Sequence, residues 1–194
     1  MRLVVVAPHP DDDAIACAAA MMQWKGDVFT IYCRTYPRRT QEAVNACRAL
    51  GSNPVFLSDL RELPAVLKAL KPALVLSPHP LDEHYFHKAV SRKVRKALLD
   101  AGRKPASRAS ALWEYEAWSP LAAPDRAAWF GEAIMRRKAK AISAHRSQCS
   151  RKPWPMLMRC YNTWRAAVMP SLLEGHGKGA KQKAKYCEAF KVVR

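Results

Sequence analysis

The sequence has no CxxC pair. Its six cysteines, Cys17, Cys33, Cys47, Cys149, Cys160 and Cys187, are scattered, which suits reduced thiols in a cytoplasm rather than a disulfide framework. No apolar stretch approaches the length of a membrane span. The start does not read as a signal peptide, because the brief run after Met1-Arg2 is broken by Pro8 and Asp11. Helix-turn-helix and zinc-finger spacings are missing, as is a ladder of interleaved aromatic and basic residues, so no specific nucleic acid is expected. There is no internal repeat and no linker, so the 194 residues read as one domain. Acidic side chains are scarce, 16 against 33 Lys and Arg, a net charge of +17. That excess points to an anionic substrate or peripheral contact with an anionic membrane. A merely solvated basic surface is the plain alternative.

What is present alternates. Apolar, β-branched runs at 3–7, 28–33, 55–57, 73–76 and 111–118 read as strands. Helical patterns fill 12–25, 39–50, 62–70, 83–101 and 126–143, the first two stopped by Gly26 and Gly51. This predicts an α/β fold with a Rossmann-like, mostly parallel sheet of order 3-2-1-4-5 and helices on both faces. The region from about 150 to 194 is basic and reads as irregular, being interrupted by Pro153, Pro155 and Pro170 and by the loop-like Gly175–Gly179 stretch.

Two clusters stand out. At the end of the first strand comes Pro8-His9-Pro10-Asp11-Asp12-Asp13. Acids at a helix start complement the macrodipole, which accounts for one or two Asp but not for an imidazole held between prolines. A divalent cation would relieve the crowding, and imidazole with carboxylate suits zinc. After the fourth strand comes His79-Pro80-Leu81-Asp82-Glu83-His84-Tyr85-Phe86-His87. His84 and His87 share a helix face if the helix begins at 83, while His79 alone could be a capping or surface residue. Strands one and four are neighbours in the expected order, and the chain reverses between them, so both clusters fall at the switch point where such sheets bind ligands. Cys17 reads as core rather than nucleophile. Trp113, Trp118, Trp154 and Trp164 read as core or interface aromatics, or as stacking surfaces.

The paired motifs resemble those of the LmbE-like, or PIG-L, zinc-dependent N-acetylglucosaminide deacetylases. That family's first motif is Pro/Ala-His-Pro-Asp-Asp-Glu, and its second is similar to His-Pro-x-Asp-x-His-x-Asp-His. Weaker echoes follow in family order: Arg39-x-x-Glu42, Lys138-x-x-Ala141 leading to His145-x-Ser147-Gln148, and Glu188-Ala189-Phe190. The resemblance implies a Zn²⁺ cofactor held by His9, Asp12 and His87. It implies Asp11 as general base, His84 as support for an oxyanion and the leaving amine, and Arg39 as a substrate contact. Three protein ligands leave zinc an open position for a water whose pKa falls to about 7.

Two positions depart from the family pattern. Asp13 replaces a Glu, and Phe86, which cannot hydrogen-bond, replaces an Asp suited to poise His84; Asp82 or Glu83 is the expected substitute for the latter. The implied activity is hydrolysis of the acetyl group from an N-acetylated amino sugar that is phosphorylated, nucleotide-linked or lipid-linked, as in a cell-envelope polysaccharide or lipopolysaccharide precursor. The expected location is cytoplasmic, with possible contact at the inner membrane face. The competing expectations are a catalytically impaired, metal-bearing glycan-binding module, motivated by Asp13 and Phe86, and, more remotely, a nucleic-acid-binding protein.

Overall fold

The first apolar run forms β1 (Arg2–Ala7), whose residues from Leu3 onward are buried on both faces, as in the middle of a parallel sheet. A computed structural model of the chain describes residues 1–99, 110–174 and 184–193. After β1 come α1 (Asp12–Ala16) and α2 (Ala18–Gln23), then β2 (Asp27–Tyr32), α3 (Pro37–Leu50) and β3 (Asn53–Phe56). A short 3-10 turn, Leu60–Glu62, leads to α4 (Leu63–Leu70), β4 (Leu74–Pro78) and α5 (Tyr85–Leu99). The remainder is β5 (Ala111–Tyr115), β6 (Arg126–Phe130), α6 (Glu132–Ala144), α7 (Arg146–Cys149), α8 (Trp154–Glu174) and β7 (Tyr186–Val193). Gly51 ends α3 in the left-handed conformation at φ 76, where a side chain would be strained.

The strands form one sheet of order β3-β2-β1-β4-β5-β7-β6. The first five are parallel in the expected 3-2-1-4-5 arrangement, and β7 and β6 extend it antiparallel. Alternate residues of β1 serve opposite faces. Leu3 and Val5 pack with Met21, Ala141 and Ile142, whereas Val4 and Val6 pack with Leu63, Leu67, Val90 and Val94. Helices therefore cover both faces, as a parallel sheet requires.

Several expected elements are corrected. The single helix over 12–25 is broken at Cys17, where the Glu188 carboxylate accepts the amide hydrogens of Ala19 and Ala20 at 3.0 and 3.1 Å. A cap supplied from β7 thus starts α2, a partner 169 residues away that no local pattern announces. The helix expected over 126–143 is strand β6 followed by α6, with Gly131 between them; pairing with β7 overrides the helical propensity of Ala127 and Ala128. The fifth strand ends at Tyr115, and α5 begins at Tyr85, leaving His84 just outside it. The region read as irregular holds the 21-residue α8 and the eight-residue β7. Pro155 falls in the first turn of α8, where its missing N–H costs nothing, although Pro170 lies within the helix. The Gly175–Gly179 stretch and the expected helix end at Ala101 lie outside the described residues.

The echo residues tie this scaffold together. Lys138 Nζ donates to Glu188 Oε1 at 2.7 Å with both side chains buried. Removing one partner of such a pair leaves a charge without its counterion in the core. Lys138→Met is expected to lower the free energy of unfolding by about 3–5 kcal/mol, measured by urea titration. A loss below about 1 kcal/mol would mean that the α2 amides satisfy Glu188 unaided.

Candidate metal centre

β1 and β4 lie side by side and parallel, so the loops at their carboxyl ends meet. The first loop is folded by its own acid. The amides of Asp11 and Asp12 both donate to the His9 carbonyl, at 2.9 and 3.3 Å, and the His9 amide donates to Asp12 Oδ2 at 2.8 Å. This turn aims the His9 ring at the second loop, where His9 Nδ1 stands 3.2 Å from His87 Nε2. Asp12 Oδ2 is 3.4 Å from His9 Nδ1 and 3.3 Å from His87 Nε2. Two imidazole nitrogens and one carboxylate oxygen therefore form a nearly equilateral triangle. A tetrahedral zinc with bonds of about 2.0–2.1 Å separates neighbouring ligand atoms by about 3.3–3.4 Å, so this donor set fits that ion in both chemistry and spacing.

Behind the triangle, Asp82 Oδ2 lies 3.4 Å from His87 Nδ1. Asp82 is itself held by the amides of His84 and Trp118, at 2.8 and 3.1 Å. A carboxylate behind a histidine fixes ring orientation and tautomer, and Asp82 stands where that support is needed despite Phe86. Burial opposes charge on His87, but Asp12 and Asp82 on either side push its pKa up to about 9. Burial also works to raise the Asp12 carboxyl, yet hydrogen bonds and charge from His87 and His9 hold it well below the usual carboxylate range.

His84 completes a group of three imidazoles whose nearest ring nitrogens lie within 4.8 Å of one another. Its ring centre is 4.9 Å from that of His9 and 4.8 Å from that of His87, against 5.2 Å between those two rings. The Phe86 amide donates to His84 Nδ1 at 3.2 Å, so the neutral ring carries its proton on Nε2. Burial, with the charges of His87 and His9, lowers the pKa of His84.

Asp11 is pushed up to about 6, chiefly by burial and then by Asp12, with Arg39 opposing. Arg39 Nη2 donates to Asp11 Oδ1 at 2.6 Å and to the Pro10 carbonyl at 3.1 Å. Arg39, expected to touch substrate, lines the cavity but spends this nitrogen on Asp11. Asp13 turns away into the core, where the Tyr32 hydroxyl donates to it at 3.0 Å and burial raises its pKa to about 7. The His79 ring lies 2.9 Å from the Ser119 carbonyl, a structural use. Glu42 accepts from the Ser147 amide and hydroxyl at 2.8 and 2.7 Å, tying α3 to α7.

The triangle opens into a cavity of about 400 Å³. Trp118 and Trp154, considered from sequence as stacking surfaces, are on its wall, whereas Trp113 and Trp164 are not. Sequence reasoning missed Arg34, Tyr36, Tyr85, Arg151 and Lys152, which also line it. The one local signal was the run Arg151-Lys152-Pro153-Trp154, in which a basic pair precedes an aromatic; Lys152 Nζ sits 5.7 Å from the Trp118 ring centre and 5.6 Å from that of Trp154. Among the described residues, Arg34, Arg151 and Lys152 have no acidic partner within ion-pair range.

No protein-family model matches the chain, and no curated protein sequence matches it. Solved structures do resemble it. A conserved protein of Thermus thermophilus superimposes with a TM-score of 0.77 at 23% identity, over 97% of this chain and 93% of that one. N,N'-diacetylchitobiose deacetylase of Pyrococcus horikoshii gives 0.75 at 18% identity, over 99% and 83%. The 4-carboxy-2-hydroxymuconate hydratase of Pseudomonas putida gives 0.74 at 17% identity, over 100% and 96%. At these identities the shared property is the fold: a single-domain α/β architecture that this chain has in common with a deacetylase and a hydratase alike.

Proposed function

We propose that the chain is a zinc-dependent hydrolase that removes the acetyl group from an N-acetylated amino sugar of the N-acetylglucosamine type, carried on a glycan, glycolipid or cell-envelope precursor. The observation that carries this reading is the triangle of His9 Nδ1, Asp12 Oδ2 and His87 Nε2, with edges of 3.2–3.4 Å. These three residues hold the ion, and Asp82 orients His87. When bound, zinc supplies Lewis acidity, polarising an amide carbonyl and lowering the pKa of water.

Every other step belongs to the chain. Asp11, raised to about 6 and fixed by Arg39, accepts the proton of the attacking water. Its raised pKa makes it a stronger base than an ordinary carboxylate while leaving it ionised at neutral pH. His84, kept as the Nε2–H tautomer by the Phe86 amide, donates a hydrogen bond to the oxyanion that develops on the carbonyl. The proton held by Asp11 then passes to the departing amine. Trp118, Trp154, Tyr36 and Tyr85 offer ring faces to a pyranose. Arg34, Arg151 and Lys152 supply unopposed positive charge for an anionic substituent, such as a phosphate, on the same substrate.

The deacetylase named among the structural neighbours supports this reading, and the hydratase marks the alternative. A water-activating acid serves either reaction, but ring-stacking walls favour a sugar. A panel of N-acetylated amino sugars and glycans separates them, since hydrolysis releases acetate and free amine while hydration releases neither. Zinc retention without release of either product would support the impaired binding module instead.

Two outcomes are expected. Asp11→Asn lowers kcat by about 10²–10⁴-fold in an amine-release assay while zinc content by atomic absorption stays unchanged; equal rates would remove Asp11 from the role of base. In calorimetric titrations, apparent zinc affinity rises about tenfold per pH unit below about pH 9 and levels off above it, because binding must displace the proton that Asp12 and Asp82 hold on His87. Affinity that does not change across that range would mean His87 is not a ligand.

A further inference from the structure

α8 carries its polar work inward and its apolar surface outward. On the side facing the sheet, Arg165 is buried and paired with Glu116, and Asn162 donates to the Cys187 carbonyl at 2.8 Å. On the opposite side, Met156, Leu157, Cys160, Thr163, Trp164 and Ala167 are all exposed, Met156 at 58% and Trp164 at 49%. At 3.6 residues per turn these six fall on one stripe about 17 Å long, and none is charged. A helix that is apolar on its outer face needs something to cover it, and no described residue does so.

Charge identifies the occupant. Between Glu132 and Glu174 the sequence has nine Lys or Arg and no Asp or Glu. Three of the nine, Lys138, Arg159 and Arg165, are paired with Glu188, Glu132 and Glu116. Arg136, Arg137, Lys140, Arg146, Arg151 and Lys152 are exposed on α6, α7 and the turn into α8, elements that pack against α8. A second copy of a chain with net charge +17 would bring like charges together there. An anionic lipid surface accepts both features, apolar side chains into the acyl boundary and Lys and Arg at the headgroups. No helix among the described residues is long and apolar enough to cross a membrane, so such a helix lies in the interface plane. Its first residue, Trp154, is also a wall of the cavity, and the exposed Trp118 packs edge-on against it at 6.3 Å.

We propose that the outer face of α8 docks the protein on an anionic membrane surface and holds the cavity mouth beside it. This holds whether or not the deacetylase reading does, because the readout is lipid binding. The test is flotation of the full chain with vesicles of phosphatidylcholine alone or mixed with phosphatidylglycerol. Binding is expected to the mixed vesicles and to weaken with added salt. The Leu157→Gln/Trp164→Gln double variant is expected to bind about tenfold more weakly or worse with an unchanged circular-dichroism spectrum. Met156→Glu provides a second variant should the double one misfold, and is expected to weaken binding too. Absence of vesicle binding would overturn the proposal. So would binding that the folded variants leave intact, which would mean adsorption through bare charge, or a dimer in sedimentation velocity without lipid binding, which would mean that the face covers itself with a second copy.

Discussion

Asp12 is a carboxylate with its side chain 5% exposed at the end of a buried strand. Charge in such a place is tolerated only when it is paired and hydrogen-bonded, and much of the surrounding structure answers that requirement. The His9 amide and ring and the His87 ring all turn toward one oxygen. His87, drawn into the pair, has Asp82 3.4 Å from its other nitrogen, an ion-pair contact without a formed hydrogen bond. Asp82 in turn takes the amides of His84 and Trp118. A single buried charge thus fixes three loops, those after β1, β4 and β5. Without the parallel pairing of β1 with β4 these groups would not meet.

The adjacent acid meets the opposite fate. Asp11 and Asp12 are neighbours in sequence, yet the first is raised and the second lowered. The difference lies in their partners. Asp12 has two imidazoles, whereas Asp11 has one guanidinium that does not offset burial and the repulsion of Asp12. Two acids whose environments push their pKa values apart can divide the labour of a site, one remaining a fixed anion and the other exchanging protons near neutrality. Arg39 belongs to this arrangement, because its guanidinium, 2.6 Å from Asp11, pulls that carboxyl's pKa down against burial and Asp12.

The parallel half of the sheet was legible because each strand is built on a short apolar, mostly β-branched or aromatic run, even where Asn53 or Glu114 enters it, and both histidine clusters were legible because no core requires such residues. The antiparallel half was not. β6 is Arg126–Phe130, short and alanine-bearing, and it becomes a strand only because β7, which follows α8 in the chain, pairs with it. The cap on α2 comes from Glu188, far beyond any local window. Glu42, Lys138 and Glu188 were visible as family echoes, but spacing alone could not say that they bind Ser147 and one another. The cavity wall was equally hidden, being assembled from Arg34, Tyr85, Trp118 and Arg151 on separate loops.

Phe86 shows what an aromatic ring does at the edge of this centre. The motif that this stretch resembles has an aspartate there, so in sequence Phe86 reads as a support missing from His84, with Asp82 or Glu83 as its substitute. In the fold Asp82, placed by backbone amides, lies 3.4 Å from His87 Nδ1, while the His84 ring takes the amide of Phe86 itself. Position 86 is then free of polar duty. Its ring lies 5.5 Å from that of His9 and 5.3 Å beneath the Arg34 guanidinium. A carboxylate there would set a further acid beside Arg34 in a crowded centre, whereas an aromatic ring leaves the guanidinium without an acidic partner at the cavity wall. A ring at position 86 therefore leaves the cavity more cationic than a carboxylate would, in line with the shortage of acidic residues across the whole chain.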